Sequence, residues 1–151
     1  MLITIGAGSQ LSGLLEVLNP YGPVLLLILR LVTGGGLVIH GYPKAKGGRI
    51  QAGQWMKSMG IPPFTADLAT VLEFLGGILL IVGFLTPLVG LFLAIQFGSI
   101  ILMKRSKMHA KFINMEQGKP TYEIDVLYAL LALVFLFLGA GTYSLDHFLG
   151  L

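Results

Sequence analysis

The chain has 151 residues, 55% of them hydrophobic and only 11% charged, with a net charge of +3. Soluble domains carry about 25% charged residues; a soluble fold of this length could not hide so much apolar surface, so the solvent is a bilayer. Cysteine is absent, which excludes disulfides, thiol catalysis, iron–sulfur clusters and thiolate metal sites within the chain.

The first residues, Met1 to Asn19, lack a positive n-region and carry Glu16, so they do not read as a cleavable signal. Ser9 to Leu18 place Leu11, Leu14, Leu15 and Leu18 on one helical face, which predicts a short interfacial helix broken by Pro20 and Gly22. Four apolar runs follow, at 23–41, 66–84, 87–103 and 124–140. Each spans roughly 17–19 residues, enough to cross ~30 Å of hydrocarbon. In the first loop Ala52, Trp55, Met56 and Met59 repeat at helical spacing, with Gly60 as a C-cap and Pro62-Pro63 as a stop. Trp55 suits an anchor at headgroup level. Leu85-Thr86-Pro87 is a tight uncharged turn that makes spans two and three a helical hairpin, with Pro87 opening the third helix. A short helix is predicted at Ser144–Leu149. The expected fold is a single all-α membrane domain, 1–151: a four-transmembrane-helix bundle with interfacial helices before span one and in loop one.

Of the ten Lys and Arg residues, nine lie in two segments: Lys44, Lys46, Arg49 and Lys57, then Lys104, Arg105, Lys107, Lys111 and Lys119. Both segments fall on one side of a four-span chain. The positive-inside rule therefore puts loops 42–65 and 104–123 in the cytoplasm and both termini outside the cell membrane. This basicity is a membrane signature, with anionic headgroups as neighbours, and no nucleic-acid partner is expected.

The tenth basic residue, Arg30, lies inside span one, and Glu73 interrupts span two. A guanidinium at bilayer depth costs roughly 2.5 kcal/mol or more and is rarely left unpaired. Counted from the span ends at ~1.5 Å per residue, the two differ in depth by ~6 Å, which makes them expected partners. Arg30 shares a face with Gly34, and Glu73 with Gly76 and Gly77; such small residues let membrane helices approach closely. His40, Lys44, Gln96, Tyr122, Glu123, Asp125 and Tyr128 add polar groups, most of them toward the cytoplasmic half, which predicts a polar pocket open to that side.

Each feature has a plain alternative. The Arg30–Glu73 pair is an anion, quinone or proton site, or a lock on helix register. His40 is a proton donor to a quinone head, or an interfacial histidine bonded to a carbonyl. A haem is disfavoured, because its second ligand would have to be His109 or His147, and neither is well placed. Glu123 and Asp125 are proton carriers, or first-turn carboxylates favoured by the helix dipole. No His/Glu spacing supports a metal.

Three stretches, LRLVTGGGLVIHGYPKA, EFLGGILLIVGFLTPLVG and PTYEIDVLYALLALVFLFLGAGTYSLD, resemble the DoxX family of small four-span membrane proteins. The likeness covers roughly residues 25–148. Its pieces are an Arg and a His-Gly in span one, a Glu before paired glycines in span two, Gly-x-x-Thr-Pro at the turn, and a Glu opening span four before Ser-Leu-Asp. The family takes its name from a subunit of a terminal quinol oxidase, and its relatives include a subunit of a thiosulfate:quinone oxidoreductase. The resemblance implies a redox-linked membrane subunit whose recurrent polar positions are Arg30, His40, Lys44, Glu73 and Glu123.

The resulting expectation is an accessory or quinone-facing subunit of a membrane oxidoreductase complex, in which other subunits hold the redox cofactors. Arg30, His40, Glu73 and Glu123 would form its proton or polar pocket, and Arg30, Glu73, Gln96 and Tyr128 its quinone pocket; no catalytic residue or metal ligand is assigned. The alternatives are a structural or assembly subunit with no chemistry of its own, or a small carrier for a weak acid.

Overall fold

The computed structural model describes residues 19–116 and 118–151; the helix expected at Ser9 to Leu18 lies outside them. A short 3-10 turn, Asn19–Tyr21, leads into α1, Gly22–Pro43. A π-helical turn, Lys44–Gly48, then breaks at Gly47 (φ 139°) and redirects the chain into α2, Arg49–Ser58. Next come α3, Phe64–Val82, α4, Thr86–Lys107, α5, Glu123–Leu138, and the short α6, Leu145–Leu149. Every described helix lies within a few residues of its expected place, including α2 with left-handed Gly60 after it.

Three of these helical segments are long and apolar enough to cross a membrane: Gly22–Ser58, Phe64–Val82 and Thr86–Lys107. The protein is thus an all-helical membrane protein. The fourth expected crossing, α5, has 16 residues and a length of about 24 Å, short of ~30 Å of hydrocarbon. It nonetheless packs along α4 and touches α1.

α1 packs on α3, α3 on α4, and α4 on α5, while α2 folds back against the start of α3. Packing in a membrane rests on close contact rather than on water exclusion, so small residues govern it. A methyl group on Gly34 would lie 2.6 Å from the Gly77 carbonyl oxygen, and one on Gly77 would lie 2.7 Å from the Gly34 carbonyl oxygen. These two glycines therefore fix the α1–α3 register. The core of Leu37, Leu80, Val89, Leu93, Phe97, Ala132 and Phe135 fills the space between the four helices. The outward faces carry exposed apolar residues such as Val32, Ile39, Leu75, Ile95 and Phe137, as a lipid-facing surface requires. One end of the bundle carries the α3–α4 hairpin turn and α6; the other, the basic end, carries α2 and the α4–α5 connection.

Candidate functional site

The register set by Gly34 and Gly77 decides where the buried charges go. In an antiparallel pair, moving back one turn from Gly34 to Arg30 means moving forward past Ile81. Arg30 accordingly lies against Gly83 at the hairpin end, where a Cβ on Gly83 would collide with Arg30 Nη1. Glu73 is ten residues back along α3, about 15 Å away along the axis. The expected Arg30–Glu73 pair therefore does not form. Counting depth from the span ends misaligned the two helices, since α1 extends beyond its apolar run while its glycine contact holds Arg30 toward the other end.

Arg30 is 0% exposed. Its Nη2 donates to the Tyr143 carbonyl oxygen, and its countercharge is Asp146. The Asp146 carboxylate accepts from the backbone N–H groups of Leu85 (2.6 Å) and Thr86 (2.9 Å), the open donors at the start of α4. The Asp146 N–H in turn donates to the Gly83 carbonyl oxygen at 2.9 Å. Gly83 itself is left-handed at φ 69°, a conformation glycine adopts without strain. Four sequence landmarks thus meet in one knot, the span-one Arg, Gly83, Thr86-Pro87 and Ser144-Leu145-Asp146, within which Arg30 Nε and Nη1 have no hydrogen-bond partner.

The basic end is built differently. Glu73, 5% exposed, receives the Lys44 ammonium at 2.5 Å on Oε2 and the Gln96 amide N–H at 3.3 Å on Oε1. A second pair joins Lys104 to Asp125 at 2.5 Å, and Lys104 also donates to the Thr121 carbonyl oxygen at 3.0 Å. Between the pairs lies a cavity of about 280 Å³, lined by His40, Lys44, Glu73, Lys104, Asp125 and Tyr128, with Trp55 and Met56 of α2 on its wall. His40 is exposed. Tyr128 stacks on Phe97 at 4.9 Å and sets its hydroxyl against Gly36. Beside this cavity, on the lipid-facing side of α3 and α4, runs an apolar groove of about 460 Å³. The two share Met56, Ala69, Ile100 and Met103, and Gln96 lines the groove while bonded to Glu73.

The cavity brings together part of the set expected for a polar pocket. His40, Glu73 and Tyr128 line it, and Gln96 adjoins it through Glu73. Arg30 lies at the other end of the bundle. Glu123 does not line the cavity; Asp125, two residues on and some 200° around the helix, takes that place. Lys104, read as part of a solvated loop, belongs to the site. A signal for both was present: Asp125 shares a face with buried Ala132 and Phe135, and Lys104 lies two turns beyond buried Phe97. Among the described residues no group of three His, Asp or Glu gathers as a metal site would require.

A family model described as DoxX matches residues 25–104. The chain belongs to the DoxX family. It is 38% identical over 136 residues to the inner membrane protein YphA of Escherichia coli (strain K12), covering 83% of this chain and 90% of that one. It is 30% identical over 128 residues to the inner membrane protein YqjF of the same strain, covering 83% and 87%. It is also 32% identical over 125 residues to CatD of Bacillus subtilis (strain 168), provisionally termed an oxidoreductase, covering 81% and 84%. No solved structure matches it significantly.

Proposed function

We propose that this DoxX protein is a quinone-facing accessory subunit of a membrane redox complex. The observation that carries the reading is the position of Glu73. It is buried in the bundle, touches Gln96 at the lipid-facing groove, and touches Lys44 at a cavity that reaches exposed His40. A lipophilic head group entering from the bilayer would meet Gln96 first. A proton would then have a short course through Glu73 and Lys44 to His40 and the basic loops. Titratable groups held at a cleft in a low-dielectric setting are the usual parts of proton exchange. The oxidoreductase designation of CatD supports the redox character. The electron carriers belong to partner subunits, since a chain without cysteine holds no thiolate cluster.

In this reading α5, lengthened by its flanking turns, is the fourth crossing, so both basic loops face the cytoplasm and the C-terminus faces outward. A chain without cysteine makes that easy to check. A membrane-impermeant maleimide should label Leu151→Cys on intact spheroplasts, but Lys46→Cys and Lys111→Cys only after permeabilisation; the reverse pattern overturns the topology. The functional reading is tested by native mass spectrometry of the protein taken from its own membranes in mild detergent. Masses of larger redox subunits with retained quinone are expected. A bare monomer or homo-oligomer would contradict it and favour the weak-acid carrier.

A further inference from the structure

The groove between α3 and α4 has a polarity set by where its protons are already committed. Three polar side chains line it: Thr65, Gln96 and Ser99. The Thr65 hydroxyl lies 2.6 Å from the Pro62 carbonyl oxygen, and the Ser99 hydroxyl 2.8 Å from the Ile95 carbonyl oxygen. A carbonyl oxygen has no proton, so each hydroxyl must donate its own and keeps only lone pairs to offer. The Gln96 amide nitrogen faces two acceptors, Glu73 Oε1 at 3.3 Å and the Ala69 carbonyl oxygen at 3.5 Å. Those neighbours fix the orientation of the amide, because a flipped group would set oxygen against oxygen. Gln96 Oε1 is consequently the atom left over, buried and without a hydrogen-bond partner, on a residue only 8% exposed. Every polar side-chain group that lines the groove is an acceptor with its proton spent.

We infer that this groove selects a lipophilic ligand bearing a hydroxyl donor, the phenol or hydroquinone form, over the corresponding quinone. A hydroxyl entering beside Gln96 gives Oε1 the donor it lacks. A quinone head carries only carbonyl acceptors and would bring oxygen against oxygen, leaving the buried amide oxygen unsatisfied. An acyl chain fills the volume but does nothing for Oε1. About 460 Å³ suits one substituted ring and the start of its tail. The inference rests on the quinone-facing reading and adds to it which redox state of the carrier the groove holds, the reduced one.

The experiment is equilibrium binding to the full chain in nanodiscs, under anaerobic conditions, with empty discs as blank. Decylhydroquinone is compared with decylbenzoquinone, and 4-nonylphenol with its methyl ether, in which a methyl group replaces the one donor proton. Hydroquinone is expected to bind at least ~tenfold tighter than quinone, equivalent to ~1.4 kcal/mol, and phenol tighter than ether by a similar ratio. Gln96→Leu should bring both ratios to about twofold or less while the melting curve stays cooperative. Equal affinities within each pair, or tighter quinone binding, overturn the inference and leave the quinone-facing reading standing. Phenol preferred over ether with no binding of either decyl compound upholds the donor rule and removes the quinone. Failure of all four to bind removes both. The ratios in the unsubstituted protein decide the matter even if Gln96→Leu does not fold.

Discussion

The two ends of the bundle treat buried charge in opposite ways. At the hairpin end, Arg30 is wholly enclosed: it donates to one carbonyl oxygen, lies against a glycine and has Asp146 as its nearby opposite charge, while its Nε and Nη1 have no hydrogen-bond partner. The countercharge, Asp146, is itself occupied by two backbone N–H groups. A cavity of about 270 Å³ reaches Asp146, but the residues around it, among them Leu85, Pro87, Leu88 and Ala140, bring no second titratable side chain to it. At the basic end, each carboxylate holds a lysine whose side chain is partly exposed, 39% for Lys44 and 25% for Lys104, around an open cavity. The difference shows that the depth of a charge in a membrane does not by itself mark a working site. What separates the two is whether further titratable side chains and an exposed route share the cavity with the charge. Arg30 locks the α3–α4 hairpin to α1 and α6; Glu73 has somewhere to pass a proton.

That contrast can be broken most forcefully at Arg30. Arg30→Leu removes the charged hydrogen bond to the Tyr143 carbonyl oxygen and the positive charge near Asp146, a loss of about 3 kcal/mol. Gly83→Ala should act in the same direction, since it forces a side chain onto the guanidinium. Both are expected to yield little monodisperse protein by size-exclusion chromatography; a well-folded Arg30→Leu variant would show that the knot is not the lock. Asp146→Asn keeps one acceptor for the start of α4 but loses the charge and the second acceptor. A loss of about 1–3 kcal/mol is expected in thermal melting. Asp125→Asn, at the other end, should lower stability by about 1 kcal/mol in thermal melting, since the amide keeps an acceptor for Lys104 but loses the charge. Smallest of all, Arg49→Ala removes a 3.8 Å pair to Asp67 with both side chains more than half exposed. It should leave the melting temperature unchanged within error, as exposed pairs contribute ~0–1 kcal/mol.

Much of this was legible in the sequence. The apolar runs, the helix around Trp55, the stop at Gly60 and Pro62-Pro63, and the glycine faces all announced themselves by spacing and residue type. The partner of Arg30 did not emerge, because depth was counted from helix ends, which neither helix shares with the other. The glycines held the better ruler: Gly34 set against Gly77 in antiparallel helices sends Arg30 past Ile81 and brings Glu73 toward Gly41 and Lys44. Asp125 was passed over for Glu123 because both open the same helix, although only Asp125 lies in phase with Ala132 and Phe135. The knot at Asp146 joins residues more than sixty positions apart in sequence, and only the packing of α6 under the hairpin turn reveals it.

The most direct test of the division between lock and working end is Glu73→Gln, an isosteric change that keeps a polar group facing Gln96 but removes the charge facing Lys44. Thermal melting and decylhydroquinone binding would be measured on the same nanodisc preparation. The account predicts a melting temperature within about 4 °C of the unsubstituted protein and affinity lowered at least ~tenfold. Unfolding comparable to that of Arg30→Leu, or unchanged affinity in a stable protein, would contradict it.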